Sequence, residues 1–188
     1  WNNTHPQIFV QTVSAGPQAG AASGKVEIYS PSLENFLHPA IPAIPGYVEV
    51  EEGPQKKEEF PLQLIGWHTI GRCHSIHFTN KSLKEKYPQQ LWIHPKDAQK
   101  RGLQSGNLAK VWNHRALIVP VFITDQIIPG VTALAQGAWH RTNQEGQDVE
   151  ASLNVLTSPN PTPLAKGNPQ HTNLVEVEKY FYHQKDHR

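Results

Sequence analysis

Leu108-Ala109-Lys110-Val111-Trp112-Asn113-His114-Arg115-Ala116-Leu117-Ile118-Val119-Pro120-Val121-Phe122-Ile123 is the stretch that decides the fold. Two apolar-rich runs flank Asn113-His114-Arg115, which has the composition of a tight turn. The pattern predicts two strands, Leu108 to Trp112 and Ala116 to Ile123, joined by that turn. Upstream, Leu62 to Trp67 and Leu91-Trp92-Ile93-His94 read as buried strands. Between the second of these and Leu108, Pro95-Lys96-Asp97-Ala98-Gln99-Lys100-Arg101 reads as a short helix. Pro95 suits its first turn and Gly102 its stop. Downstream, Val131 to Ala135 is a fifth strand. Leu174-Val175-Glu176-Val177-Glu178-Lys179-Tyr180 alternates cleanly and is the last.

Several short strands with one or two small helices predict a mainly β protein, a closed or nearly closed barrel. Gly24-Lys25-Val26-Glu27-Ile28-Tyr29 also alternates and is read as a short half-buried strand. Residues 30–60 carry Pro31, Pro39, Pro42, Pro45, Gly46 and Pro54, then the charge run Glu51 to Glu59. This is read as an extended arm or linker. The expected division is an arm over 1–59, a barrel over 60–180 and a tail over 181–188.

With 188 residues the chain suits one ordinary domain with an appended arm. Hydrophobic residues at 37% and charged residues at 18% fit a globular protein with much loop. A net charge of +1 offers no broad attraction to nucleic acid or an anionic membrane. No apolar run is long enough to span a bilayer as a helix. Cys73 is the only cysteine, so neither an intramolecular disulfide nor a four-cysteine iron–sulfur cluster can form within the chain. The first residues do not read as a signal peptide. The chain starts at Trp1 and contains no methionine, which leads us to expect a fragment or a processed product.

Three irregular stretches, 66–82, 136–150 and 157–173, interrupt the strands. A barrel gathers such loops at its ends, where ligands bind. The first contains Gly66-Trp67-His68-Thr69-Ile70-Gly71-Arg72-Cys73-His74-Ser75-Ile76-His77. His68, Cys73, His74 and His77 are zinc-type ligands, although their spacing matches no common finger or ribbon. The same loop also suits an anion or a heterocycle. Glycines allow close backbone approach, Arg72 forks onto phosphate oxygens, and Ser75, His74 and His77 hydrogen-bond a polar ring. A solvated loop that caps strands is the third reading. In the second stretch, Gln136-Gly137-Ala138-Trp139-His140 suits stacking of a flat ligand or a lid over the core. Asn154-Val155-Leu156-Thr157 and Asn168-Pro169-Gln170-His171-Thr172-Asn173 present amides that match guanine or pterin edges, or serve as turn residues. No nucleophile elbow and no phosphate loop ending in Lys-Ser/Thr is present. Cys73 is read as a buried inert thiol rather than a nucleophile.

In this order, several motifs together resemble one family. They are the Gly71-Arg72-x-His74-Ser75 loop, Leu91-Trp92-Ile93-His94-Pro95-Lys96-Asp97-Ala98, Ile128-Pro129-Gly130-Val131, Gln136-Gly137-Ala138-Trp139, Asn154-Val155-Leu156-Thr157 and Leu174 to Lys179. The family is the molybdopterin dinucleotide-binding domain that ends dimethyl sulfoxide reductase-type catalytic subunits, closest in look to the membrane-complex type. The resemblance covers 60–180. Gly24 to Ser30 resembles the segment that precedes this domain.

The resemblance implies a six-stranded double-psi β-barrel with small helices. It implies the molybdenum bis(molybdopterin guanine dinucleotide) cofactor in a full-length parent, shielded by this domain. Gly71, Arg72, His74, Ser75 and His77 would lie against pterin and diphosphate, and Asn154 would face a guanine nucleotide. Asn168, His171 and Asn173 would reach a pterin; His171 stands where Asn or Gln is common. Gly137 and Trp139 match a turn near the cofactor, and Asp97 matches a position in the short helix. The molybdenum ligand and the iron–sulfur cluster would belong to parts of the parent outside this chain.

Implied partners are the remaining domains of the catalytic subunit, an iron–sulfur electron-transfer subunit and a membrane anchor, with no nucleic acid and no direct membrane insertion. The parent would be an exported S- or N-oxide reductase of anaerobic respiration, periplasmic or membrane-associated. The chain alone is expected to be inactive. The rival readings are a barrel that serves as a non-enzymatic interaction module, and a small zinc hydrolase built on 68–77.

Overall fold

A computed structural model describes residues 26–169 and 172–181. Two units divide the chain, Trp1–Val48 and Glu49–Arg188. In the first, the described part holds a single-turn helix α1, Pro31–Glu34, capped by the Ser30 side chain, which accepts the Leu33 N–H. The strand expected over Gly24 to Tyr29 does not form in its described part. Val26 and Ile28 are 71% and 68% exposed and pair with no strand, so the alternation there reflects no buried face. Gly24 and Lys25 lie outside the described residues.

The second unit is a closed six-stranded barrel. Its strands are β1 Leu62–Trp67, β2 Leu91–Ile93, β3 Leu108–Trp112, β4 Ala116–Ile123, β5 Val131–Ala135 and β6 Asn173–Lys179, in the order β1-β5-β2-β4-β3-β6. Two pairs are parallel, β1 with β5 and β2 with β4. The other four are antiparallel. Parallel partners that are not chain neighbours require crossovers, and two such crossovers in one barrel make the double-psi arrangement. The β3–β4 hairpin pairs Trp112 with Ala116 across Asn113-His114-Arg115, as the turn composition predicts.

Alternation builds the core. Leu62 and Leu64 of β1, Val111 of β3, and Val119 and Val121 of β4 point inward and are almost wholly buried. Each such side chain contributes about 1.5–3 kcal/mol of burial. Both barrel ends are plugged. Ala98 and Leu103 join the core from one side, Leu153 and Leu156 from the other. The first plug rides on α3, Pro95–Lys100. His94 Nδ1 accepts the Lys96 N–H at its start, and Gly102 follows its end at φ 60°. The second rides on a 3-10 turn, Leu153–Leu156.

Strand directions decide what meets at each end. β1 and β5 finish, and β2, β4 and β6 begin, at the end we call the upper one. Segments 68–90, 113–115 and 136–169 therefore gather there, while 94–107 and 124–130 lie below. Helix α2, Lys81–Lys86, sits in the upper cluster; it begins inside the expected irregular stretch 66–82 and continues into residues to which the sequence assigns no element. Asn80 caps it by accepting the Leu83 N–H at 3.1 Å.

Candidate functional site

The upper end holds every described residue singled out as a ligand contact, but in two separate clusters. The first joins segment 68–77 to segment 136–140. Its turns are tight: the Ile76 N–H donates to the Cys73 carbonyl, and His74 and His77 both adopt left-handed backbone, at φ 49° and 70°. Both side chains are exposed, as are Ser75 and Cys73. Exposure of Cys73 corrects the expectation of a buried thiol; Cys73 opens the tight 73–76 turn, whose residues are all exposed, so no core packs against the thiol.

Arg72 fastens this cluster. Its Nε–H donates to the Gln136 carbonyl at 2.8 Å, and its Nη2 donates to the Gln89 side chain and, at 3.4 Å, to the Ala135 carbonyl. Partial burial holds the guanidinium below its ordinary pKa. Gln89 in turn donates to the carbonyls of Ala135 and Ala151. Gly71 is needed because a β-carbon there would stand 2.7 Å from the Tyr87 ring. Trp139 is 53% exposed, stacks on buried Phe78 and donates its indole N–H to the Ser75 carbonyl at 3.2 Å. The free space bordered by Arg72, His77 and Phe78 is only about 10 Å³.

The second cluster borders an open cavity of about 400 Å³, lined by Arg115, Asn154, Ser158, Lys166 and Asn168 among others. That volume is within the range of small-molecule pockets. Asn154 is exposed on the 3-10 turn, and the Asn154 carbonyl accepts the Thr157 hydroxyl. The turn is held from behind by the β3–β4 tip. Asn113 Nδ2 and Arg115 Nη2 both donate to the Leu156 carbonyl, at 2.9 and 3.2 Å. Arg115 Nη2 also meets Glu52 Oε1 at 2.6 Å. Its Nε–H is buried and has no acceptor among the described residues. With the paired donors and acceptors of Asn154 and Asn168, this wall fits the edges and oxygens of a nucleotide.

Arg72 borders the small space beside Phe78, whereas Asn154 and Asn168 line the 400 Å³ cavity; both lie at the upper barrel end. Asn173 opens β6 and is 1% exposed, closed to any ligand in this arrangement. His171 lies outside the described residues. Among the described residues, no three His, Cys, Asp or Glu side chains gather as metal ligands, so the zinc reading of 68–77 has no described site. Arg115 and Lys166 were not singled out in the sequence. Arg115 reads there as part of a turn, and only its position behind Asn154 reveals it.

A larger cavity, about 640 Å³, opens at the lower end beside Asp97, Lys100, Arg101 and Glu176. Its charges answer one another: Arg101 Nε meets Glu176 Oε1 at 2.6 Å, and buried Asp97 accepts the Gly130 N–H at 2.6 Å. We favour the smaller upper cavity because its wall retains polar groups without internal partners.

Comparison with known proteins identifies relatives of the chain. A family model described as the molydopterin dinucleotide binding domain matches residues 62–174. The chain is 44% identical over 169 residues to a putative dimethyl sulfoxide reductase chain, YnfE, of Escherichia coli, covering 84% of this chain and 21% of that protein. It is 40% identical over 178 residues to the dimethyl sulfoxide reductase DmsA of the same organism, covering 87% and 22%. It is 30% identical to trimethylamine-N-oxide reductase 1 of E. coli, covering 96% and 24%. The chain spans about a fifth of the length of these relatives. Among solved structures, acetylene hydratase from Pelobacter acetylenicus superimposes with a TM-score of 0.65 at 24% identity over 84% of this chain and 24% of that one, a likeness of fold.

Proposed function

The chain belongs to the molybdopterin dinucleotide-binding domain family, and from that premise we propose that its upper end binds and covers the guanine dinucleotide part of a molybdenum cofactor, within a larger S- or N-oxide reductase. The observation that carries this reading is the 400 Å³ cavity at the upper end, lined by the amides Asn154 and Asn168 together with Arg115. The names of the relatives, reductases of dimethyl sulfoxide and trimethylamine N-oxide, support the oxide as substrate class.

The cofactor, when bound, supplies the redox chemistry at its metal. The chain's own residues bind and orient. Asn154 and Asn168 take the edge of a flat base with one donor and one acceptor each. Trp139, held by Phe78 and the Ser75 carbonyl, offers a fixed exposed ring for stacking and for exclusion of water. Arg72 keeps the 68–77 and 136–140 loops in register, so that Ser75, His74 and His77 stay presented at the barrel end.

Guanosine titrated into the ¹⁵N-labelled chain tests the reading. We expect shifts at Asn154 and Asn168, and weaker ones with adenosine, whose edge carries a different donor pattern. Shifts scattered over the surface, or equal for both nucleosides, would favour the barrel as an interaction module. The isolated chain is expected to show no oxide-dependent oxidation of a reduced dye.

A further inference from the structure

We propose that the free edge of β6 at the lower barrel end, Val177 to Lys179, takes an extended, carboxylate-bearing segment of the larger protein as an added strand. The source of that segment rests on the larger-protein reading above; the open edge does not.

The edge follows from register. β6 pairs with β3 from Glu176 to Lys179, and the Tyr180 N–H donates to the Leu108 carbonyl at 2.9 Å. Bonded residues alternate in an antiparallel ladder. Glu176, Glu178 and Tyr180 therefore turn their backbone groups toward β3. Asn173, Val175, Val177 and Lys179 turn theirs to the opposite side. There β1 receives only the first two, because its pairing with β6 stops at Leu62 opposite Val175. Phe60, two residues earlier, packs against Trp112 of β3, so the chain before β1 crosses over β6 instead of continuing beside it. The Glu176 side chain accepts the Val177 N–H at 2.7 Å. The Val177 carbonyl and both backbone groups of Lys179 have no strand partner among the described residues.

A groove lies along this edge. Glu176 to Lys179 form one wall of the 640 Å³ cavity, with α3 and Pro129-Gly130 supplying others. An unpaired edge beside a groove is the geometry in which an extended peptide adds its own backbone bonds. At about 3.3 Å per residue, the free stretch suits roughly three or four residues. Glu176 caps one donor and so guards against indiscriminate pairing. The remaining groups stay open to a matched strand.

Charge selects the occupant. Glu176 and Glu178 are engaged by Arg101 and Lys110, at 2.6 and 3.0 Å. Lys100 is 73% exposed and stands 3.9 Å from Asp97, which is already bonded to the Gly130 N–H. Lys179 forms no ion pair among the described residues. Two cations are left at the groove, and a strand bearing carboxylates answers them. A second copy of the chain does not fit. Antiparallel pairing of two β6 edges sets Glu178 opposite Glu178 or Glu176, or Lys179 opposite Lys179, and like charges directly opposite destabilise a sheet. The chain spans 21% and 22% of two relatives, so most of a protein of that length lies outside it and can supply the strand.

Amide exchange reads the edge directly. In the ¹⁵N-labelled 188-residue chain, Lys179 is expected to exchange about ten-fold or more faster than Glu178, whose N–H is bonded to β3. In the longer protein that contains the chain, the Lys179 amide is expected to slow to the Glu178 rate. A Lys179 amide already slow in the 188-residue chain, or equally fast in both proteins, overturns the proposal. The probe peptide acetyl-Val-Glu-Val-Glu-amide is expected to slow the same amide in the shorter chain, and acetyl-Val-Lys-Val-Lys-amide to slow it less. Equal effects of the two overturn the acidic occupant. Lys100→Glu is expected to weaken the acidic peptide about two- to five-fold through charge alone. Lys179→Pro removes the edge N–H, leaves the bonds of residues 178 and 180 to β3 in place, and is expected to abolish peptide binding. If proline unfolds the strand, Lys100→Glu carries the test, and unchanged peptide affinity in that variant contradicts the proposal. Guanosine binding at the upper end is expected to be equal in the parent chain and Lys100→Glu. Absence of guanosine binding removes the proposed function and leaves the edge standing; an edge that takes no acidic peptide removes this proposal and leaves the guanosine site standing.

Discussion

Gly137 lies so close to the backbone of His74 that a β-carbon placed on it would stand 1.7 Å from the His74 carbonyl oxygen. This contact joins two loops that are 63 residues apart in the chain, and it leaves no room for any side chain. Gly137 also adopts φ 85°. Gly137→Ala is therefore expected to lose about 3 kcal/mol or more, from left-handed strain plus a backbone clash. Gly130 has a similar φ of 82° but open space around it. Gly130→Ala is expected to cost about 1 kcal/mol, from conformation alone. Urea denaturation of both variants checks the pair; equal losses would mean that the 137–74 contact is looser than described.

Arg72→Lys tests how firmly Arg72 fastens the 68–77 and 136–140 segments. Lysine keeps the charge but cannot reach the Gln136 carbonyl, the Ala135 carbonyl and Gln89 with one rigid fork. We expect a loss of about 1–3 kcal/mol, the usual penalty for stranded buried acceptors. Amide exchange at Gln136 should accelerate, since its N–H bond to the Trp67 carbonyl sits on the same loop junction. Unchanged exchange would show that the fork holds nothing.

Glu150 gives a pH dependence. Burial pushes its carboxyl pKa up, but bonds from Lys84 at 3.0 Å and Arg141 at 3.1 Å outweigh that and hold it below the ordinary 4.5. A carboxylate with a depressed folded pKa stabilises fully above its unfolded value, and that stabilisation disappears as pH falls through the folded value. The stability difference between the parent chain and Glu150→Gln should be flat at neutral pH and shrink below pH 4.5. Thermal denaturation at stepped pH measures it, and a difference that grows on acidification would contradict the assignment.

Asp97 separates the two barrel ends. Its carboxylate is buried and accepts the Gly130 N–H at 2.6 Å beneath the core. Asp97→Ala strands that donor and should cost about 1–3 kcal/mol. Guanosine affinity should stay unchanged where the variant is folded, because the proposed base site lies at the opposite end. Calorimetric titration that found a selective loss of affinity would move the ligand to the lower cavity.

The barrel was legible in the sequence where short-range pattern and turn chemistry agree. Leu62 to Trp67 and the hairpin from Leu108 to Ile123 alternate or run apolar between turn residues, and α3 begins at Pro95 and stops before Gly102. Such elements are set by neighbours a few residues away. The pattern at 24–29 looks the same on paper, yet Val26 and Ile28 remain exposed, since alternation makes a strand only where a partner strand receives it. Helix α2 went unseen for the converse reason. Lys81 to Lys86 has no apolar stripe, and its support is the Asn80 cap together with Lys84, which lies 3.9 Å over the Phe78 ring and bonds Glu150.

The sequence by itself determined which chemistry is available: the family motifs, the amides at 154 and 168, the guanidinium at 72. Tertiary structure alone decided how each group is used. Arg72 donates to a carbonyl 64 residues away, and Arg115 meets a glutamate 63 residues away. A cation's role depends on which acceptors reach it first. Crossovers in a closed barrel set that, because they bring distant loops to one end and so decide which donors the fold itself uses.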